Sequence, residues 1–321
     1  MSCKAKEIVT DPAAVNALIS RLGQELGQGL YGTVHSIDGE QDKVVKEIST
    51  LDLLEHSVAA LEKGIITLTE LSHPNLIRYE DIYKSNNAIY MTMARYACSL
   101  ESTLRAYKRT NRSFSTAQVI DVAKQIGSAL EYLHNSADAH NKDKRQEIVH
   151  GDVKLANILV NKEETKFVLT DLGFGDQNAT TALMYCIAPE VLLGGKLTPA
   201  ADMWSLGIVL YELSSKLKTP FLLEAKQPRT VYVAGWTPNL SAIKDVTIRS
   251  ILEHILVLNP KERLTASMLM QVLKPQDEFS SISSMLEIRT LKKKLEEMEE
   301  KLRRLEEYSH DPNVYNEPFE Y

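Results

Sequence analysis

A chain of 321 residues, 44% apolar and 7% aromatic, can bury a large core without being forced into two independent domains. Its net charge of -6 argues against nucleic acid as the main partner, which would select a basic stripe. Three scattered cysteines, Cys3, Cys98 and Cys186, do not make a disulfide scaffold, and no window approaches the roughly 18 apolar residues of a membrane span. Met1 to Arg21 mixes charged with small apolar residues and lacks the apolar core of a signal peptide. The expectation is a cytoplasmic protein, with nuclear or cytoskeletal association left open.

Residues 1–17 read as an N-terminal extension. From about Leu18 to Tyr96 the pattern is short strands with one helix. Gly27-Gln28-Gly29-Leu30-Tyr31-Gly32-Thr33-Val34 is a G-x-G-x-x-G-x-V run, whose glycines let backbone amides approach phosphate oxygens. A dinucleotide fingerprint would open a helix at this point. Here the run continues into the β-like Thr33 to Ile37 and the turn Asp38-Gly39, which favours a phosphate-cradling loop between two strands. Lys43 to Ile48 is the next strand. Lys46 alone reads as a solvated edge lysine, but one hairpin after a glycine loop it can reach nucleotide phosphates. A helical stretch from Leu51 to Leu71, interrupted by Gly64, ends before His73-Pro74. Strands at Leu76 to Tyr83 and Ala88 to Met93 complete a small sheet.

Beyond Leu100 the pattern turns helical. Gln118 to His134 carries a buried face of Val119, Val122, Ala123, Ile126, Ala129, Leu130 and Leu133. A polar loop, Asn135 to Gln146, leads to short strands around a turn between Ile148 and Thr170. They flank His150-Gly151-Asp152-Val153-Lys154-Leu155-Ala156-Asn157. Phosphorylation of a hydroxyl needs a carboxylate to accept its proton, which suits Asp152, and a cation for the transferring group, which suits Lys154. It also needs oxygen ligands for Mg²⁺, which suits Asn157 and Asp171, the latter beside Leu172-Gly173. Asp202 to Leu213 is apolar nearly all round, predicting a central buried helix. In the tail, Ile288, Leu291, Leu295, Met298, Leu302 and Leu305 alternate steps of three and four among charged residues, a seam over 285–308. A single helix packed on its own domain and a homodimer are equal readings of it. Residues 309–321 read as a flexible end.

These residues resemble a eukaryotic protein kinase over Leu18 to Val272. Gly27 to Val34 resembles the glycine-rich loop, Lys46 the ATP-anchoring lysine, His150 to Asn157 the catalytic loop, and Asp171-Leu172-Gly173 the D-F-G motif with Leu for Phe. Ala188-Pro189-Glu190 matches A-P-E, and Arg263 the usual partner of Glu190. The resemblance implies an α+β, bilobal fold: an N-lobe over 18–96 with one main helix, and a helical C-lobe over 97–273. It implies ATP and Mg²⁺ as ligands, with Gly27, Gln28, Gly29, Tyr31, Gly32, Val34, Lys46, Met93, Ala94 and Tyr96 around the nucleotide and a hinge at Ala94 to Tyr96. Lys154, two residues after Asp152, resembles the serine/threonine type. The polar loop, the D-L-G variant and the heptad tail together resemble the NIMA-related (NEK) group.

Three positions depart from the family pattern. Gly64 stands where the N-lobe helix usually supplies a glutamate to the strand lysine, and Glu62, two residues away, is rotated by roughly 200° on a helix. The expectation is a loosely held helix and a Lys46 that leans on Asp171 or phosphate. Gly151 replaces the arginine that would grip a phosphate at Thr180 or Thr181, so dependence on activation-segment phosphorylation should be weak. Leu183 replaces the threonine that helps hold the catalytic aspartate. The favoured reading is a serine/threonine kinase of low or partner-dependent rate, acting on protein substrates. The alternative is a pseudokinase, a scaffold that binds nucleotide and partners.

Overall fold

The computed structural model describes residues 7–29, 32–135, 147–172, 186–215 and 228–274, with seven tail positions between 286 and 301. It divides into two units, Met1–Leu273 and Lys274–Tyr321. The first unit opens with β1 (Ile8–Val9), α1 (Pro12–Ile19), β2 (Leu22–Gly29), β3 (Gly32–Ile37), β4 (Glu40–Ser49), α2 (Glu55–Glu70), β5 (Tyr79–Lys84) and β6 (Ala88–Ala94). The strands make one six-stranded sheet in the order β1-β5-β6-β4-β3-β2. Alternation of side chains along β4 gives the sheet two apolar faces. Val44 and Ile48 point into a cluster with Ile65, Ile82, Ile89 and Met91, while Val45 joins Leu18, Ile37, Ala88 and Tyr90 on the opposite face.

The boundary read at Leu18 falls inside α1. Asp11 caps this helix, its carboxylate accepting the Ala14 N–H at 3.1 Å, and Pro12 follows at the first turn, where a missing N–H costs nothing. α1 buries Leu18 on the outer face of the sheet. β1 pairs in parallel with β5 through Ile8↔Ile82 and Val9↔Tyr83. Among the described residues of the N-lobe, the short α1 therefore accompanies the main helix α2. A two-residue strand and an eight-residue helix are too short to show periodicity, which is why the extension looked separate. α2 likewise begins at Glu55 rather than Leu51. Leu54 occupies its cap in extended backbone with no side-chain cap, and Leu51 and Leu54 are both 68% exposed.

The C-lobe follows with β7 (Cys98–Ser99), α3 (Leu100–Arg109), α4 (Thr116–His134), β8 (Ile158–Val160), β9 (Phe167–Leu169), α5 (Pro189–Leu192), α6 (Pro199–Ser214), α7 (Pro228–Val231), α8 (Val246–Ile255) and α9 (Ala266–Val272). α4 starts on a capping box in which Ser115 and Gln118 exchange backbone bonds, and it buries the whole face read from its sequence. α6 is buried nearly all round, as its apolar run predicts. Arg263, fully buried, forks onto both Glu190 oxygens at 2.7 and 2.9 Å and donates to the Val257 and Ala200 carbonyls. This pair ties α5 to the loop before α9. In the tail unit all seven described positions are helical. The end expected to be flexible, 309–321, lies outside the described residues.

Candidate active site

The glycine run forms a hairpin, not a helix start. Gly27 pairs with Val34, Gln28 with Thr33 and Gly29 with Gly32 across β2 and β3. Gly32 has φ +133, and a Cβ there would sit 2.1 Å from the Glu47 carbonyl, so only glycine lets β3 approach β4 this closely. A Cβ on Gly27 would meet nothing within 4 Å, which leaves open space above the strand for a ligand. Leu30 and Tyr31 lie outside the described residues.

Val34 pairs with Lys46 on β4, placing the lysine beneath the hairpin. Lys46 is buried, and its Nζ lies 2.5 Å from Asp171 Oδ1. Glu62 does not reach it: its Oε1 lies 2.6 Å from Lys84 Nζ on β5. Gly64 is exposed, and a Cβ on it would meet open space. Asp171 has φ +67, a left-handed backbone that turns its carboxylate toward Lys46 and lets Oδ1 accept from Thr170 Oγ1 as well.

The catalytic loop is built around Asp202, buried on α6. Its Oδ2 accepts the His150 N–H at 2.8 Å and bonds His134 Nε2 at 2.9 Å, while Oδ1 accepts the Gly151 N–H at 2.8 Å. Those bonds hold Gly151 at φ +78, which glycine adopts without strain. His150 accepts the Asp152 N–H on Nδ1 and so donates from Nε2 to the Thr170 carbonyl at 3.0 Å. Burial pushes its pKa below the ordinary histidine value, so the ring is neutral and acts as a fixed spacer between the loop and Thr170. Asp152 is then aimed by its neighbours. Oδ2 accepts from Lys154 Nζ and from Asn157 Nδ2, both at 2.8 Å, and the same amide nitrogen donates to the Asp152 carbonyl.

This bonding fixes which atoms are left over. The Asn157 amide spends its nitrogen on Asp152, which leaves its oxygen free of hydrogen bonds among the described residues. Asp171 spends Oδ1 on Lys46 and Thr170 and keeps Oδ2. No cluster of three His, Cys, Asp or Glu side chains occurs among the described residues. One carboxylate oxygen and one amide oxygen nevertheless fit Mg²⁺, which takes few protein ligands and completes its shell with phosphate and water.

Met93 and Val44 are buried in the cluster beneath the sheet, with Val34, Tyr96 and Leu159 partly buried against it. Arg95 donates its N–H to Asp42 and Ala97 to Val160. Among the described residues the Tyr96 N–H has no such partner, so it is available to an acceptor in the slot beyond Ala94. Val44 and Leu159 were missed from sequence. Each lies two residues from a site residue, Lys46 and Asn157, and the two-residue period of a strand carries the signal for Val44. Gly173, Thr180, Thr181 and Leu183 lie outside the described residues.

The family described as Protein kinase domain matches residues 20–273 of this chain. The chain belongs to the protein kinase family. Among its relatives are serine/threonine-protein kinase Nek1 of Mus musculus, 26% identical over 77% of this chain and 20% of that protein, and serine/threonine-protein kinase Nek5 of Homo sapiens, 28% identical. 

The Nek5 match takes in 61% of this chain and 28% of that protein. Mitogen-activated protein kinase kinase kinase 1 of Arabidopsis thaliana is 30% identical over 77% of this chain and 41% of its own length. The chain thus spans less than half the length of these three relatives. The serine/threonine type and the NIMA-related likeness expected from Lys154 and the D-L-G variant agree with these relatives. As a family, protein kinases use ATP with Mg²⁺ and act on proteins.

Proposed function

We propose that this chain transfers the terminal phosphoryl group of ATP to serine or threonine hydroxyls of proteins. The observation that carries this reading is the placement of Asp152. Lys154 and Asn157 hold its Oδ2, which leaves Oδ1 to take the proton of an incoming hydroxyl. Lys154, bonded to the neighbouring Oδ2, offsets charge on the group in transfer. Lys46, now paired with Asp171, is the anchor for the inner phosphates. Asp171 and Asn157 would hold Mg²⁺, which supplies charge neutralisation at the phosphates when bound. Gly27, Gln28, Gly29, Tyr31 and Gly32 would cover the phosphates, with Val34, Met93, Ala94 and Tyr96 around the base.

A second reading, a nucleotide-binding pseudokinase, is favoured by one observation: Glu62 is spent on Lys84, and no α2 carboxylate meets Lys46 among the described contacts. Positioning groups set the rate, whereas Asp152, Lys154, Asn157 and Asp171 supply the chemistry, so a slow enzyme fits better than an inert one. The test is transfer of labelled phosphate from MgATP to a generic basic protein. Asp152→Asn should reduce it by about 10²-fold or more. Equal labelling by both proteins, or none by either, overturns the enzyme reading.

We place the protein in the cytoplasm on the ground of its free Cys98 and Cys186 thiols. The heptads of 288–305 are proposed to supply a protein–protein contact.

A further inference from the structure

Gly151 meets the loop ahead of α6 in a contact that the hydrogen bonds of the site do not include. A Cβ built on Gly151 would lie 2.9 Å from Leu197 Cδ2, well inside the roughly 3.5–4.0 Å of an ordinary carbon contact. The leucine methyl therefore fills the space in which any longer residue at 151, an arginine included, would begin its side chain. Leu197 is half-buried and Gly151 is exposed, so the contact lies at the rim of the catalytic loop.

The stretch that carries Leu197 is held at both ends. Gly195 donates its N–H to the Glu190 carbonyl at 2.7 Å, and a Cβ on Gly195 would sit 2.6 Å from that oxygen, so only glycine passes α5 this closely. Thr198 is extended, with ψ 166, the conformation favoured before a proline such as Pro199. Two residues on, the Ala200 carbonyl accepts from Arg263 at 2.7 Å, and Arg263 also grips the Glu190 carboxylate. The arc 195–200 is thus tied at each end to the Glu190–Arg263 pair, with Leu197 between.

We propose that Leu197 is a positioning residue for Asp152, acting through Gly151. This rests on the phosphotransfer reading and names a group that sets its geometry. Gly151 is constrained twice: Asp202 Oδ1 takes its N–H at 2.8 Å, and Leu197 bears on its Cα. A single hydrogen bond tolerates a broad range of angles, and packing on Cα removes that freedom. Leu197 and Asp202 are five positions apart on one piece of chain, so loop and helix hold the same glycine. Asp152 comes next, and a displacement of about 1 Å in such a group costs roughly 10²-fold in rate. The contact is apolar and needs no modification, whereas an arginine at 151 would have drawn on a phosphate in the activation segment.

Phosphorylation of a generic basic protein by the full chain, with kcat and KM for MgATP measured separately, tests this. Leu197→Ala should lower kcat by at least about fivefold and leave KM for MgATP within about twofold, because other residues build the nucleotide slot. Leu197→Met, of similar apolar volume, should bring kcat back to within about twofold of the parent. Gly151→Ala should be slow as well, since its methyl displaces the leucine tip. Gly151→Ala combined with Leu197→Ala should be no slower than Gly151→Ala alone, as one contact can be lost only once. A smaller fall for Leu197→Ala, a matching loss of nucleotide affinity, no rescue by Leu197→Met, or losses that multiply in the double variant would each overturn the role. No transfer by the parent chain overturns the phosphotransfer reading and this inference with it. A working parent with an equally fast Leu197→Ala protein overturns this inference alone.

Discussion

At the level of single residues, much of the site can be traced to which hydrogen-bonding atoms are already used. Asp152 and Asn157 each have one oxygen engaged or spared by the other, and that follows from their five-residue separation around the turn at Leu155–Asn157. The residue types and order were legible in the sequence because each chemical role demands a particular functional group. Their bonding was not, since it depends on Asp202, fifty residues on, holding the His150 and Gly151 amides. Gly151 also bears on regulation. With no arginine there, a phosphate on the activation segment loses a main cation. Phosphatase treatment is therefore expected to change the rate of peptide phosphorylation by less than about threefold, an energy below 1 kcal/mol. A loss of tenfold or more would show that another cation does the work.

Among the elements, α2 departs most from what an efficient kinase needs. Only Ile65 and Thr69 of its sixteen residues are fully buried, its N-cap has no side-chain bond, and its interior glycine costs about 1 kcal/mol relative to alanine. The sequence disclosed this weakness through Gly64, and it also disclosed that Glu62 would point elsewhere. The partner Glu62 found, Lys84, was hidden, because nothing local says which strand edge lies beside the helix. Leu68, one turn beyond Gly64, packs on the core beneath the sheet, so Gly64 flanks the inward stripe with open space at its Cβ. Gly64→Glu should place a carboxylate toward Lys46 and raise kcat, while slowing amide exchange along α2. Unchanged kcat with slower exchange would mean that helix stability, and not the missing carboxylate, had been repaired.

For the whole molecule, acid sensitivity should begin at the loop core. His150 is held neutral by burial, with a folded pKa below the unfolded value of 6.5. The unfolded chain therefore binds the proton more readily as pH falls through that value, and the stability contributed by neutral burial is present above it and lost below. Urea midpoints should drop on acidification below about pH 6.5. His150→Gln should flatten that slope, leaving the share of His73, whose pKa burial also lowers. An unaltered slope would assign the effect to other groups. The lobes and their large helices were readable because long apolar runs fix them, whereas β1 and α1 were not. Their contribution comes from what they cover. A protein shortened to begin at Leu18 would lose the strand lying along β5 and the helix shielding Ile37, Val45 and Ala88. It would leave a bare row of backbone donors and acceptors beside greasy surface, the combination that drives sheet-edge association. Such a truncation should aggregate during purification while the full chain stays dispersed, and a well-behaved truncated protein would show the cover to be dispensable.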